Sequence, residues 1–157
     1  MILENEFTFE GRREAVWDLL HDPEIMANAI PGAKRLVRKD EDHYEGEIKV
    51  GVGSVGGVFS LTITLKDKIY PQGFTMIVSA KGRPGFVNGK VQVELSEDEA
   101  ESTLMKYSAE MHLGGKIATV GQRLLDSVGK SMTRRGLKSL NKSLQKSLAA
   151  SKKSGKD

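Results

Sequence analysis

Residues 114–148 read GGKIATVGQRLLDSVGKSMTRRGLKSLNKSLQKSL. Ile117, Val120, Leu124, Val128 and Met132 recur at steps of three and four, with Gly121 and Leu125 beside them. At about 100° per residue these positions share one side of a helix. Some 20 residues of helix run roughly 30 Å, the width of a small domain. The pattern therefore predicts a helix over 116–135 that lies across whatever the rest of the chain builds. From Leu137 the phase changes. Leu137, Leu140, Leu144 and Leu148 fall nearly opposite the first stripe, with Arg134, Arg135 and Gly136 at the switch. Glycine inside a helix is about 1 kcal/mol worse than alanine. One straight helix cannot turn both stripes to one core. The expected organisation is a domain over 1–135 and a basic amphipathic extension over 136–157 whose leucines leave the domain.

What the helix lies on follows from the preceding residues. Residues 2–8 predict a strand and 12–20 a short helix with Val16, Leu19 and Leu20 inward and Trp17 at its edge. Asp22-Pro23-Glu24 starts a second short helix over 23–29: a capping carboxylate, proline at the first helical position, then an acid at the positive end of the dipole. Six strands follow, at 33–39, 43–52, 55–67, 74–81, 86–95 and 103–113. Alternation is clearest where Phe59, Leu61, Ile63 and Leu65 interleave with Ser60, Thr62, Thr64 and Lys66. Short polar turns between successive strands predict an antiparallel meander. Alternation predicts one dry face and one wet face. The dry face needs a cover, and the long helix is the one available. The fold class is α+β: a curved antiparallel seven-strand sheet wrapped on a long C-terminal helix, with two short helices after the first strand.

Composition narrows the function. The 157 residues contain no cysteine, which excludes a disulfide framework, a thiol nucleophile and a thiolate metal site. No apolar run reaches the ~18 residues of a membrane span. The N-terminal MILENEFTFEGRRE is acidic and carries no apolar signal core, so a cytoplasmic protein is expected. The net charge of +3 is unevenly placed. Residues 1–115 hold 13 Lys/Arg against 19 Asp/Glu, and residues 116–157 hold 11 against 2. A basic tail on an acidic body points to an anionic surface: membrane, nucleic acid or an acidic partner. A merely solubilising tail is the plain alternative. No aromatic residue follows Tyr107, so base stacking has no support and nucleic acid is not expected.

The glycines of GVGSVGG (residues 51–57) lack the Lys-Ser/Thr ending and the strand-to-helix setting of a phosphate loop. They read as a bend in the sheet. His21, His43 and His112 show no metal-ligand spacing. The acids at 40–42 and 97–99 are turn residues, no serine sits in a nucleophile elbow, and Trp17 reads as packing. No catalytic constellation emerges, and no metal site.

The order of strand, two short helices, six strands and long helix resembles the START-like, helix-grip superfamily of carriers of lipids and other hydrophobic ligands. The closer resemblance is to the CoxG family of carbon monoxide dehydrogenase accessory proteins. It rests on Phe7-Thr8, Arg13-Glu14-Ala15-Val16-Trp17, Asp22-Pro23-Glu24, Ile30-Pro31-Gly32, Lys49 to Gly53, Gly85-Phe86, Leu104 to Tyr107, and Gly114-Gly115-Lys116-Ile117-Ala118 with Gly121 and Arg123-Leu124-Leu125-Asp126. These cover roughly residues 1–135. The resemblance implies a non-catalytic accessory that recruits molybdenum-containing CO dehydrogenase to the inner face of the cytoplasmic membrane. It implies a pocket for a lipophilic molecule, a quinone such as menaquinone or something lipid-like. Many family members end in an anchoring segment after a linker; here the extension is short, lysine-rich and joined directly to the helix. An enzyme on the same fold, of cyclase or hydrolase type, and a ligand-free assembly factor are the alternatives.

The candidate pocket lining is the dry face plus the first helix stripe: Phe59, Leu61, Ile63, Met76, Val78, Met105 and Tyr107 from the sheet, Val120, Gly121, Leu124 and Val128 from the helix. Methionine suits an irregular apolar ligand. Gly121 leaves room where helix and sheet are closest. Tyr107 can offer a buried hydroxyl to a quinone carbonyl. In the extension, Leu137, Leu140, Leu144 and Leu148 oppose Lys138, Lys142 and Lys146, the pattern of a helix that lies on an anionic membrane. Packing on the domain's own surface, or in a homodimer, is the other use of those leucines.

Overall fold

The computed structural model describes residues 1–153, with side chains as far as 150. Seven strands form one antiparallel sheet: β1 (Ile2–Phe9), β2 (Ala33–Asp40), β3 (His43–Val52), β4 (Val55–Ile69), β5 (Gly73–Gly82), β6 (Gly85–Asp98) and β7 (Ser102–Gly114). Their order is β1-β7-β6-β5-β4-β3-β2, so the meander runs from β2 to β7 and the first strand joins its far end. The helices α1 (Arg13–Leu20) and α2 (Pro23–Ala29) connect the two edges of the sheet. The cap at Asp22 forms as expected, its carboxylate accepting from the backbone N–H groups of Glu24 (3.0 Å) and Ile25 (3.2 Å). At Pro31-Gly32 the chain turns with Gly32 at φ +83°, and a Cβ there would fall on the carbonyl oxygen of Lys49. Only glycine combines that backbone with that approach. Lys49 N–H donates to the Gly32 carbonyl at 2.8 Å, fastening the turn to β3.

Alternation sorts the sheet as predicted. Phe59, Leu61, Ile63 and Leu65 of β4 are buried, while Ser60, Thr62 and Lys66 face solvent. The dry faces of β4 to β7 and the inward residues of α1 and α2 meet the C-terminal helices in one continuous core. A 3₁₀ segment, Gly115–Val120, leads into α3 (Gly121–Ser131) and α4 (Leu137–Lys153).

The stretch between α3 and α4 corrects the sequence reading. Met132–Gly136 is a π-turn, and α3 and α4 run through it without a break. A π-turn takes in one extra residue, which rotates everything after it by about 100° against an unbroken α-helix. That rotation carries the leucine stripe back toward the side from which the first stripe already faces the core. Leu137, Leu140 and Leu144 are each 1% exposed, and Leu148 is half-buried against the same core. The leucines expected to leave the domain therefore close it, and the boundary expected at 135/136 falls inside a packed helix. A dimer or a bilayer finds no leucine stripe there to bury.

α4 reaches surfaces that α3 does not. A Cβ on Gly136 would lie 2.8 Å from the carbonyl oxygen of Ala29, and one on Gly11 would lie 2.9 Å from Leu144. Glycine at both places lets α4 approach α2 and the β1–α1 connection. Glu10 is held at both its backbone groups: its N–H donates to Asn141 Oδ1 (3.1 Å) and its carbonyl accepts from Gln145 Nε2 (2.8 Å).

Candidate ligand cavity

Between the concave sheet face, α2 and the C-terminal helices lies a cavity of about 270 Å³. Its wall is almost wholly apolar and contains no charged side chain. Of the expected lining, Leu61, Met76, Val78, Met105, Tyr107, Leu124 and Val128 are on the wall. Phe59, Ile63 and Val120 are buried but fill the core beyond it. Gly121 faces the Met1 side chain, where a Cβ would come within 3.2 Å of its sulfur, rather than the cavity. The residues missed are informative. Met26 comes from a seven-residue helix too short to show a period. Met132, Leu137 and Leu140 flank or follow the phase switch, which the π-turn resolves.

Tyr107 is the polar exception. Its ring is on the wall, and its hydroxyl oxygen is buried beside the Asn5 side chain without a well-formed hydrogen bond. A buried hydroxyl left without a good partner carries a desolvation penalty of about 1–3 kcal/mol. Burial pushes its phenol above the ordinary value, the neighbouring Asn5 side chain opposing. Asn5, paired with Tyr107 across the β1–β7 ladder, donates from Nδ2 to Thr133 Oγ1 at 3.0 Å. Thr133 in turn donates to the Gly129 carbonyl at 3.0 Å. The π-turn is thus tied to β1 at the strand position facing Tyr107.

Below the cavity an aromatic group closes the α1 end. His21 stacks on Trp17 (centroids 4.6 Å) and meets the edge of Phe74 (4.8 Å), which is itself on the cavity wall. His21 Nδ1 lies 2.6 Å from the Trp17 carbonyl, its Nε2 is buried without a partner, and its own carbonyl accepts from Tyr44 Oη at 2.8 Å. Burial pushes the imidazole below its usual value of 6.5. Protonation then favours the unfolded chain, so this contribution is complete above about pH 6.5 and declines as pH falls toward the lowered value. Thermal unfolding followed between pH 7.5 and pH 5 is expected to show that decline, and His21→Phe to remove it.

The outer face of the C-terminal helices is basic. Arg123, Lys130, Arg134, Arg135, Lys138, Lys142 and Lys146 are all exposed. Among the described residues none of them is in an ion pair; those pairs lie between residues 12 and 112. The expected cationic contacts Lys138, Lys142 and Lys146 are therefore presented outward, without their leucines. Among the described residues, no helix is long and apolar enough to cross a membrane, and no cluster of potential metal ligands occurs.

A seven-strand antiparallel sheet curved around a long helix over an apolar cavity defines a START-like protein. Solved structures of that class share the fold. A START superfamily protein from Mycobacterium smegmatis is 10% identical with a TM-score of 0.66, covering 92% of this chain and 97% of its own. The Zhui aromatase/cyclase from a Streptomyces species is 13% identical with a TM-score of 0.66, covering 94% and 95%. A conserved protein from Geobacillus kaustophilus stands nearer, at 31% identity and a TM-score of 0.84, covering 94% and 97%. No match is found among functionally curated proteins. The sequence profile of the carbon monoxide dehydrogenase CoxG family matches residues 6–145, and the chain belongs to that family. The family is one of accessory subunits, and its name ties it to CO dehydrogenase.

Proposed function

We propose that this protein carries a lipophilic, oxygen-bearing molecule, quinone-like or lipid-like, as a non-catalytic accessory of a molybdenum-containing CO dehydrogenase, and that it brings that enzyme to the inner face of the cytoplasmic membrane. The observation that carries the reading is the apolar cavity, with the Tyr107 phenol as the one polar side chain on its wall. Apolar walls supply affinity, and one polar group fixes orientation. The donor defines the ligand's complementary feature, a carbonyl or ether oxygen. The cavity wall offers no acid, base or nucleophile beside that phenol, which favours a carrier over the cyclase chemistry of the Streptomyces neighbour. The membrane part rests on the unpaired basic ridge, which suits anionic headgroups at the surface rather than insertion.

The test is mass spectrometry of an organic extract of the purified protein, together with native mass spectrometry of the intact chain. A stoichiometric isoprenoid quinone or similar lipid is the expected result. A bare chain mass, unchanged after incubation with membranes or menaquinone, overturns the carrier reading. Tyr107→Phe is expected to keep the fold and weaken binding of a carbonyl-bearing ligand about 5- to 10-fold, the worth of one hydrogen bond. Equilibrium titration of both proteins with menadione checks this.

A further inference from the structure

The sequence holds six methionines. Five of them, Met26, Met76, Met105, Met111 and Met132, line the cavity. Met1, the sixth, lies over Gly121. The five come from four separate elements, α2, β5, β7 and the π-turn, around the same space. The buried core shares Leu61, Leu124, Leu137 and Leu140 with that wall but is poorer in methionine. It is filled mainly by Leu, Val, Ile, Phe and Ala, and Met105 is its one methionine. Thioether side chains are thus concentrated where the packing leaves space.

Methionine is unbranched and has three rotatable bonds, so it changes shape without moving the backbone. Branched residues in the same positions would hold the wall in place. The resting size is limiting: a cavity of about 150 Å³ takes benzene, so 270 Å³ takes about two fused rings. We infer that the five methionines form a deformable wall, which lets the cavity accept bulky, ring-bearing lipophiles larger than its resting volume. Size selection is then set by thioether rotamers and not by the curvature of the sheet. This rests on the carrier reading, and it names the ligand class as polycyclic or similarly bulky molecules that bear an oxygen acceptor.

The test uses two fluorescent probes of the same chemistry, naphthol with two fused rings and hydroxypyrene with four. Both are titrated into the wild type, into Met76→Leu/Met105→Leu/Met111→Leu, and into that variant with Met26→Leu and Met132→Leu added. Met-to-Leu swaps conserve volume and are well tolerated, and circular dichroism with the melting temperature reports that each variant is folded. The wild type is expected to bind both probes. The quintuple variant is expected to lose about 10-fold or more in its affinity for hydroxypyrene relative to naphthol, the triple variant falling between. In wild-type protein labelled at the methionine methyl carbons, hydroxypyrene should shift five signals strongly and Met1 least. A wild type that binds naphthol but not hydroxypyrene overturns the deformable wall and leaves the carrier reading standing. Equal hydroxypyrene affinity in all three proteins overturns it too. Failure of both probes in the wild type removes the carrier reading and this inference together.

Discussion

Leu144→Ala is expected to destabilise the fold by about 3 kcal/mol, the usual loss for a leucine removed from a closed core. For a chain of this size that lowers the melting temperature by about 6–12 °C. Leu144 is 1% exposed and packs on the β1–α1 connection, where glycine at position 11 admits it. The neighbouring change Leu148→Ala, at a half-buried position, should remove less than about 1 kcal/mol. The two variants together separate a helix that closes the domain from one that hangs off it. Scanning calorimetry of both is sufficient. Equal, negligible effects would mean that the leucines leave the core, as the unbroken helical wheel implied.

Reversing three charges on the opposite side of the same helix should do the converse. The triple change Lys138→Glu/Lys142→Glu/Lys146→Glu is expected to leave the melting temperature nearly unchanged, because all three lysines are exposed and unpaired among the described residues. Each lysine near an anionic bilayer contributes about 1 kcal/mol, so losing three weakens attachment by at least about 100-fold. Flotation with vesicles of mixed phosphatidylserine and phosphatidylcholine, at low salt, measures it. Wild-type binding should vanish on phosphatidylcholine alone and weaken steeply as salt rises, since the Debye length falls to about 10 Å at 0.1 M. Wild-type protein that ignores anionic vesicles, or a triple variant that still binds them, removes the membrane role of this ridge.

Most of the sheet was legible because alternation is a local property. Phe59, Leu61, Ile63 and Leu65 declare one face whatever their neighbours do, and the short turns leave little choice of pairing. Seven of the expected cavity residues follow from that same rule combined with the first helix stripe. The phase jump after Met132 was equally visible, but its meaning was not. A half-turn offset between two apolar stripes is compatible with a second partner, a kink or an inserted residue. Only the tertiary fit of Gly136 against Ala29, and of Thr133 against Asn5, selects the π-turn. Phe59, Ile63 and Val120 show the remaining limit. Inward orientation is encoded residue by residue, whereas the difference between lining a space and filling one depends on what stands opposite.

The position of β1 in the sheet has a consequence during synthesis. Among the described residues β1 pairs with β7 alone, Ile2 standing opposite Glu110, so β1 must wait for the last strand of the sheet. At about 5–20 residues per second, the partner follows roughly 5–20 s later. Until then β1 has two open edges, and α1 and α2 lack the helix that covers them. The meander from β2 to β6 can pair as it emerges, but completion of the curved sheet and its cover is reserved for the moment when β7 and the C-terminal helices are both free. A ribosome paused before residue 114 therefore holds a sheet with its apolar face uncovered, and that nascent chain is the form of this protein with the greatest need of a chaperone.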